Sequence, residues 1–522
     1  MNVISYACKP VTIVSAGIFS GSDGFAARLT GIFKEKESGQ VFRVPGFYCG
    51  NSQWAVRFSA QEPGTWEYHI VSDDIQLLGD LCGTVEIVQD DHVFPRPLRT
   101  KGFGFATSED EPHFMSPFEC DFLFSLVASP DGHEKLHTLV ANLKAYGFNQ
   151  IVVNSFAWDS FYFRGRVNSD DYGPPYVDLW IETENGRSMN PAYFEHFDYM
   201  MNYLHQQGMY VQIYLRVYNK AVKWDEKYSQ KEEDYLRTFV ARYAAYTNVI
   251  WDITKEGYFE KDKQYIYHLF SLVQRYDPFK RLKTIHDDDE YALDPRYEKT
   301  VDFLTVQKYG EFSYMVMYYR LRSGKPVVTG ELGTDHQRAL RCMTDDRNME
   351  PEGEQYDEKD YAKNAWQNLM GGGYACYYNR YMCWDVIEYD SVPRGFQYFK
   401  LMRDFFAPFD LSEFTPAPEL SAWSGVVLDD RKTKILLYME PKHDDRYNFF
   451  DRAVTLLNPA NGRKYIRFTA FGIFSGKTQN ISPQPPALPG SDAYDYMADN
   501  IHLDMTWIEE PVVIIGEYEL TH

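Results

Sequence analysis

Strand-like and helix-like segments alternate along residues 99–412, and this alternation limits the possible folds more than any other property of the chain. The strand-like segments are short apolar runs such as NQIVVNSFAW and YVQIYLRVY. The helix-like segments carry end signals: in NPAYFEHFDYMMNYLHQQGM, Asn190 is typical of a helix start and Gly208 of a helix end. In DGHEKLHTLVANLKAYGFN, the spacing of Asp131 and Glu134 predicts a capping box.

Eight strand-like segments can be counted in this part of the chain. Eight strand–helix units predict a (β/α)8 (TIM) barrel rather than an open sheet. No GxGxxG motif follows any of the strands, which weakens the doubly wound alternative. The segments are FECDFLFSL, NQIVVNSFAW, YVQIYLRVY, NVIWDITKEG, RLKTIHDDD, VDFLTVQKYG, KPVVTGELG and GYACYYNRYMCWD.

The two ends of the chain read as β-structure. In WAVRFSAQEPGTWEYHIV, apolar residues occupy every second position on both sides of a Pro-Gly turn, which predicts a β-hairpin. GVVLDDRKTKILLYME and VTLLNPANGRKYIRF predict two more hairpins. We therefore expect an α/β protein whose central barrel (99–412) is flanked by an N-terminal β-sandwich of immunoglobulin or fibronectin type (1–98) and a C-terminal β-sandwich (413–522).

The charge of the chain excludes some classes of partner. The net charge is −22 and the pI is near 5.1, which argues against binding to nucleic acid or to an anionic membrane. No uncharged run approaches the roughly 18 residues of a membrane helix. The first residues lack the basic and apolar regions of a signal peptide, so we expect a cytoplasmic location unless a leader has been removed. The sequence leaves open whether the chain forms a homo-oligomer.

No residue pattern predicts a metal site. The seven cysteines are scattered and form no CxxC pair or Cys/His cluster. The run HDDDE is the strongest metal candidate, but consecutive acids cannot all face one ion, and a solvated charge run is the simpler interpretation. We expect neither a metal nor another cofactor.

Function in a barrel lies at the carboxyl ends of its strands. Glu256 stands at the end of the fourth predicted strand and Glu331 at the end of the seventh. Either glutamate alone would usually be a loop or capping residue, but two at these positions form a candidate catalytic pair. Other residues at the strand ends are candidates for binding substrate: Asn154, Trp158, Arg216, Lys255, His286, Gln307, Tyr309 and Trp384. Of these, His286 has an equally good structural interpretation, and Trp384 is either a core residue or a platform for a sugar.

Paired carboxylates do specific work on glycosidic bonds. One must be protonated to donate to the leaving oxygen, and the other must be ionised to attack the sugar carbon. Two nearby negative charges help to create this difference, because each raises the pKa of the other. In a retaining enzyme the two carboxyl groups lie about 5–5.5 Å apart, which the fourth and seventh strands of a barrel can achieve.

With these motifs and this domain order, the chain resembles the apiosidase-like glycoside hydrolases of the large barrel clan A. The resemblance implies that Glu256 in NVIWDITKEGY is the acid/base and that Glu331 in KPVVTGELG is the nucleophile. It also implies that Tyr309 hydrogen-bonds the nucleophile and that Trp384 lies under the reacting sugar. Lys255 departs from the pattern, since the clan normally has an Asn there that binds the sugar 2-hydroxyl. A Lys at this position would suit a uronic acid carboxylate or mark a divergent pocket.

The primary hypothesis is therefore a retaining glycoside hydrolase that acts on an oligosaccharide or glycoside. In a second hypothesis the chain binds carbohydrate on the same scaffold without turnover, which the replacement at Lys255 favours. In a third, the same acids serve an inverting hydrolase or a polysaccharide lyase. A carboxylate separation of roughly 6.5–9.5 Å would indicate inversion.

Overall fold

A computed structural model describes the chain in residues 2–79, 81–90, 92, 94–156, 177–218, 220, 222–287, 294–307, 310, 312–335, 355–383, 387–422, 426–441, 453–456, 463–484, 501–505 and 507–520.

The N-terminal part consists of two sheets around a shared apolar core. Their strand orders are β1-β9-β7-β3-β4 and β5-β6-β2-β8, and side chains from both sheets meet in one cluster that includes Phe33, Val56 and Val85. The strands are β1 Asn2–Tyr6, β2 Val11–Phe19, β3 Thr30–Glu35, β4 Val41–Pro45, β5 Phe47–Gly50, β6 Gln53–Phe58, β7 Gly64–Val71, β8 Ile75–Leu78 and β9 Cys82–Val88.

The hairpin predicted around the Pro-Gly turn is wrong. The two apolar runs do form strands, but β6 pairs with β2 and β5, whereas β7 pairs with β3 and β9. The chain crosses from one sheet to the other at the turn. Both strands can then direct their apolar faces into the core between the sheets, which alternation alone cannot distinguish from pairing with each other.

The central part carries nine parallel strands in two sheets. The orders are β13-β14-β17-β18-β19 and β20-β21-β22-β25. The strands are β13 Pro117–Glu119, β14 Gln150–Asn154, β17 Tyr210–Tyr214, β18 Val249–Asp252, β19 Lys283–Thr284, β20 His286–Asp287, β21 Leu304–Gln307, β22 Val327–Glu331 and β25 Tyr374–Ala375. Smaller sheets accompany them: β10 Leu98–Lys101 with β11 Gly104–Thr107 and β12 Pro112–His113, β15 Trp180–Thr183 with β16 Gly186–Met189, and β23 Thr334–Asp335 with β24 Gln355–Tyr356.

Backbone contacts link the two parallel sheets at both edges. At one edge, Phe118 and Tyr377 form a parallel bridge, and the Glu119 N–H donates to the Tyr377 carbonyl at 2.9 Å. At the other edge, only Ile285 separates β19 from β20, and the His286 N–H donates to the Thr254 carbonyl at 2.9 Å. Each of the eight predicted segments contains a parallel strand, with β19 and β20 both lying in the fifth.

Helices separate the parallel strands along the chain. They are α1 Leu123–Val127, α2 Gly132–Ala145, α3 Pro191–Gln206, α4 Gln230–Tyr243, α5 Lys263–Tyr276, α6 Pro295–Thr300, α7 Phe312–Ser323, α8 Glu358–Met370 and α9 Gly395–Phe406, with short 3-10 turns at Gly24–Ala26, Gly257–Phe259 and Pro418–Leu420. Within the described residues, none of these helices is long and apolar enough to cross a lipid bilayer.

The helix-end signals were partly correct. Asn190 caps α3 as predicted, because its side chain accepts a hydrogen bond from the Ala192 N–H at 3.1 Å. The capping box at Asp131 is wrong: this residue has a left-handed backbone and makes no side-chain hydrogen bond to α2. Most of the FLFSL part of the first predicted strand lies in helix α1, and Asp131, between α1 and α2, lacks the extended backbone that a capping residue needs.

The C-terminal part returns to sheets, of order β26-β28-β29-β35-β31-β32 and β27-β30-β34-β33. The hairpin predicted at DDRK is confirmed as the antiparallel pair β28 and β29, whereas the strands on either side of NPANG belong to different sheets. The strands are β26 Thr415–Pro416, β27 Ser421–Ala422, β28 Val426–Asp429, β29 Lys434–Met439, β30 Ala453–Leu456, β31 Arg463–Gly472, β32 Thr478–Ile481, β33 Pro483–Gln484, β34 Ile501–Asp504 and β35 Val512–Leu520. The chain is thus of mixed α/β class with sheet-rich ends, and the boundaries at 98/99 and 412/413 stay predictions.

A buried ion cluster joins the N-terminal sheets to the central helices. The Arg57 guanidinium on β6 lies 2.8 Å from the carboxylate of Asp198 on α3, and Arg242 on α4 donates to the same carboxylate at 2.9 and 3.0 Å. Burial by itself would raise the pKa of Asp198, but the two guanidinium groups hold that pKa at about 2. One carboxylate therefore pairs with two buried cations from different parts of the chain.

Removing the carboxylate should destabilise this junction strongly. In Asp198→Ala the Arg57 and Arg242 guanidinium groups would remain buried without a counter-ion, and we expect a loss of about 3–5 kcal/mol of unfolding free energy in chemical denaturation. Glu413→Ala removes the partner of Lys432 from an exposed pair (45% and 61% exposed side chains) and should change stability by less than about 1 kcal/mol. Equal losses in the two variants would contradict the importance given to the buried cluster.

Candidate active site

The carboxyl ends of the parallel strands bring five of the predicted site residues to one buried region. Lys255 forms an ion pair with Glu331, the charges of both act on Glu256, and His286 and Gln307 adjoin them. Trp158, Tyr309 and Trp384 lie outside the described residues, so their predicted roles stay predictions.

Glu331 owes its orientation to an irregularity in β22. Val306 of β21 pairs with Thr329, but Gln307 pairs with Glu331, so that Gly330 is an extra residue in the ladder. Thr329 hydrogen-bonds Asn368 on α8 and thus faces the helix. Strict alternation would place Glu331 on that same face, and the bulge shifts it to the face of Gln307.

Gly330 is also required for space. A Cβ atom at this position would lie 3.0 Å from Thr305 Cγ2 and 3.2 Å from His286 Cε1. The absence of a side chain therefore allows the imidazole of His286 to pack directly against β22. Glycine at the position before Glu331 in TGELG therefore serves two purposes: it is the extra residue of the bulge, and it leaves space for the His286 ring.

Glu256 leaves β18 through a strained turn. Its backbone is left-handed (φ 55°, ψ 47°), which is uncommon for a residue with a side chain. The next residue, Gly257, is tightly enclosed, because a Cβ there would lie 2.7 Å from Thr254 Oγ1 and 2.8 Å from Asp287 Oδ2. The surrounding contacts thus impose the direction in which the Glu256 side chain leaves the strand. Such strain is concentrated at functional sites in proteins generally.

Lys255 is bound by carboxylates on several sides. Its ammonium group lies 2.9 Å from Asp121, 2.9 Å from Glu331 and in hydrogen-bonding contact with Glu119. The Lys255, Glu119 and Asp121 side chains have no exposed surface. The Tyr214 ring lies 5.2 Å and the Tyr378 ring 5.6 Å from the same nitrogen.

The environment separates the two glutamates in acidity. Burial and the nearby negative charge of Glu331 raise the pKa of Glu256 to about 7. Burial would raise the pKa of Glu331 as well, but the charge of Lys255, which lies 2.9 Å from its carboxylate, lowers that pKa below its ordinary value. At neutral pH the pair therefore offers one ionised carboxylate and one that is close to its half-protonated point.

His286 is held beside Glu331 by neighbouring strands. Its Nδ1 lies 2.8 Å from the hydroxyl of Tyr214, and its backbone N–H donates to Asp252 at 3.0 Å. Burial lowers the pKa of His286 to about 4, so the ring is neutral at physiological pH. Asp252 in turn accepts a hydrogen bond from the side-chain amide of Gln212 at 2.7 Å, which extends the hydrogen-bond network that holds His286.

Two predicted binding residues have other surroundings. Arg216 forms a buried ion pair with Glu232 of α4 and stacks on Trp224 at 5.2 Å and Tyr265 at 5.1 Å. Asn154, at the end of β14, is fully buried, and within the part of the chain that the structure describes neither atom of its side-chain amide has a hydrogen-bond partner. Such an orphaned amide is costly in a folded protein, and a polar ligand would satisfy it.

Sequence reasoning missed Glu119, Asp121, Lys220 and Tyr214. The first two stand at alternate positions in FECD and so lie on one face of the first strand, which was the available signal. Lys220 is 7% exposed, and its charge lowers the pKa of both Glu256 and Glu331. It follows the third strand in a segment with no motif. In the described part of the chain, no group of three or more His, Cys, Asp or Glu residues is arranged to hold a metal ion.

Comparisons with known proteins identify a family and a shared fold. A family model described as "Apiosidase-like, catalytic domain" matches residues 127–400, just over half of the chain, and a model for a domain of unknown function, DUF5060, matches residues 25–73. No curated protein matches the sequence.

Solved structures share the fold at low sequence identity. A "putative glycoside hydrolase" from Bacteroides vulgatus ATCC 8482 is 15% identical, with 99% of each chain covered and a TM-score of 0.71. A glycoside hydrolase family 5 protein from the same organism is 14% identical over 81% of this chain and 93% of its own, with a TM-score of 0.56. At these identities the similarity shows a common fold.

The steric role of Gly330 can be tested by adding a methyl group. We expect Gly330→Ala to displace the His286 ring or open the bulge, and to destabilise the protein by about 1–3 kcal/mol in thermal or chemical unfolding. The control is Gly330→Ala combined with Thr305→Ser, which removes the methyl group nearest to the new atom. Partial recovery of stability in the double variant is expected, and an unchanged stability of Gly330→Ala would show that the site tolerates a side chain.

Proposed function

The chain belongs to the apiosidase-like family, and from that premise we propose that it is a glycoside hydrolase that cleaves O-glycosidic bonds with retention of configuration. The observation that carries the proposal is that the pKa values of two buried acids, which follow β18 and end β22, are shifted in opposite directions. The pKa of Glu256 is raised to about 7, whereas that of Glu331 is lowered. A general acid and a nucleophile need this difference.

The proposed reaction has two displacements. Glu331 attacks the anomeric carbon and forms a covalent glycosyl-enzyme, while Glu256 donates its proton to the leaving oxygen. Glu256, now ionised, then removes a proton from water, and that water displaces Glu331 from the sugar. The charge on Glu331 disappears when the covalent bond forms, so the pKa of Glu256 falls at the point where it must act as a base.

The remaining residues would bind and orient the substrate, an oligosaccharide or glycoside. Lys255, in contact with Glu331, favours its ionised form, and His286 lies beside it. The buried side-chain amide of Asn154 is suited to a sugar hydroxyl. Under this proposal the other contacts to hydroxyls and sugar faces come from Trp158, Arg216, Gln307, Tyr309 and Trp384. The reaction needs no cofactor, and a cytoplasmic location remains part of the proposal.

We also propose that the parallel strands form a (β/α)8 barrel between two sandwich domains. The hydrogen bonds that join the two parallel sheets at both edges support a closed ring of strands. In such a ring the ends of the fourth and seventh strands face the same opening, which agrees with the direct electrostatic coupling of Glu256 and Glu331.

Two other functions use the same site. A carbohydrate-binding protein without turnover is favoured by Lys255, which stands where the clan has Asn. An inverting hydrolase or a lyase would use the same two acids with different geometry. Turnover of any glycoside excludes the first, and the anomeric configuration of the first-formed product, measured by NMR, separates retention from inversion.

Substitution of each acid should abolish a different step. On a panel of aryl glycosides, we expect Glu331→Gln to lose essentially all turnover, and Glu256→Gln to lose about 10²–10⁴-fold, with the smaller losses on activated leaving groups that need no proton. Glu233→Gln, an acid on α4 outside the site, is the control and should keep wild-type activity. Near-wild-type turnover by either site variant would refute the assignment.

The pH dependence of kcat/KM should reflect the requirement for protonated Glu256. Because this carboxyl must be protonated and its pKa is about 7, kcat/KM should fall as pH rises through about 7. Because the pKa of Glu331 is lowered, the acidic limb should lie below the ordinary carboxyl range of about 4.3. In Glu256→Ala, the pH profile of kcat/KM measured with a substrate that has an activated leaving group should lack the alkaline limb. Persistence of that limb would assign it to another group.

A further inference from the structure

Lys255 occupies the position before the acid/base, and its surroundings indicate a role within the protein. We propose that Lys255 is a positioning residue for the nucleophile: Glu119 and Asp121 fix its ammonium group, which in turn holds the carboxylate of Glu331. The inference rests on the proposed function only where it calls Glu331 a nucleophile. It replaces the expectation that Lys255 binds substrate.

The first argument is the count of donors. A lysine ammonium group has three N–H donors and no acceptor. Here three carboxylates surround it, Glu119 and Asp121 on one side and Glu331 on the other. The ammonium group hydrogen-bonds Glu119 and Asp121, forms an ion pair with Glu331 at 2.9 Å and has no exposed surface, so it presents no open side to a sugar carboxylate or hydroxyl.

The second argument is the rigidity of the two acids that hold Lys255. The Glu119 N–H donates to the Tyr377 carbonyl at 2.9 Å, and the Asp121 carbonyl accepts from the Asn154 N–H at 3.0 Å. The first strand is thus tied on both sides by its neighbours. The backbone of Lys255 is itself held, because its N–H donates to the Arg216 carbonyl at 2.7 Å. The ammonium group therefore has a defined position before any substrate arrives.

The third argument is the balance of charge. Three ionised carboxylates around one ammonium group would leave a net negative charge in a buried space, which is unfavourable. Burial has the largest effect on the pKa of Glu119 and raises it well above its ordinary value. The charges of Asp121 and Glu331 raise it further, and that of Lys255 opposes them. Glu119 is thus the protonated member of the cluster, and the attraction of Lys255 is directed to Asp121 and Glu331.

Other charged and titratable groups also act on Glu331. His286 and Lys220 favour its ionised form, and the negative charge on Glu331 is coupled to Glu256, Glu119 and Tyr378. His286 is neutral at physiological pH, and Lys220 acts on Glu256 as well. Lys255 is the cation in direct contact with the Glu331 carboxylate, so its removal should have the largest effect.

The test measures the titration of Glu331 directly. The protein is labelled with glutamate carrying ¹³C at the side-chain carboxyl, and Glu331→Gln identifies the resonance of Glu331 by its loss. We expect Glu331 to titrate below the ordinary carboxyl range in the wild type, and at least about one pH unit higher, a tenfold change in proton affinity, in Lys255→Met. The same titration in both proteins would overturn the proposal.

Glu119→Gln is the matched control within the cluster. Glutamine has the shape of the protonated acid, so this variant should keep the low titration of Glu331, and a shift as large as that in Lys255→Met would contradict the assigned protonation. If Lys255→Met does not fold, the comparison is made between Asp121→Asn and Asp121→Asn combined with Lys255→Met, which retains the net charge of the wild-type cluster. The double variant should have the higher pKa for Glu331, and equal values would overturn the proposal.

Kinetics distinguish positioning from substrate binding. We expect Lys255→Met to lower kcat by about 100-fold, since misplacement of a reacting group by about 1 Å has that effect, while KM changes by only a few-fold. The acidic limb of kcat/KM should move upward with the titration of Glu331. A raised KM with kcat and the acidic limb unchanged would mean that Lys255 binds substrate. If the wild type turns over no glycoside, the proposed function fails, and the titration still decides the role of Lys255.

Discussion

The contact between the buried ammonium group of Lys255 and its three carboxylates determines how the rest of the site is arranged. Removing a charge from water costs several kcal/mol, and a buried charge persists only when its partners are close and well placed. Lys255 belongs to the fourth segment of parallel strand, and its partners come from the first and seventh segments. Distant parts of the chain must therefore assemble correctly before the cluster can exist, and its geometry leaves little freedom to Glu331.

The same constraint explains how the two glutamates come to differ. Both are buried, which would raise the pKa of each, but Glu331 lies in contact with the Lys255 ammonium group. Glu256 instead experiences the negative charge of Glu331. Lys255 is thus the main source of the difference in acidity that acid/base and nucleophilic roles require, and it acts from the position next to Glu256.

A second buried cluster performs a structural task by the same physics. Asp198 neutralises Arg57 and Arg242, and in doing so fastens the N-terminal sheets to α3 and α4. No reaction is implied there, because the cluster contains one acid between two cations and its carboxyl has a pKa of about 2. The active-site candidate has the opposite composition, with several acids around one lysine, and this excess of acids keeps one proton available near neutral pH.

Much of the architecture could be predicted from local patterns. The alternation of apolar runs and capped helices located the strands of the two large parallel sheets in the central part, and the cap at Asn190 formed as predicted. The pairing of β6 and β7 could not be predicted, because alternation shows which face of a strand is apolar but not which strand lies beside it. The positions of Glu256 and Glu331 at strand ends followed from the same pattern together with the family resemblance.

What the sequence by itself determined was the order of elements and the placement of Glu256 and Glu331 at strand ends, since periodicity and strand ends are local properties of the chain. Only the tertiary structure decided which acid meets the lysine. Lys255 and Glu256 are neighbours in sequence, yet the ammonium group contacts Glu331, Glu119 and Asp121, because strands far apart in the chain bring those carboxylates to it. The bulge at Gly330 likewise reverses the face that alternation assigns to Glu331. The charge state of each acid and the face of the sheet on which Glu331 lies depend on neighbours in three dimensions, which no local pattern predicts.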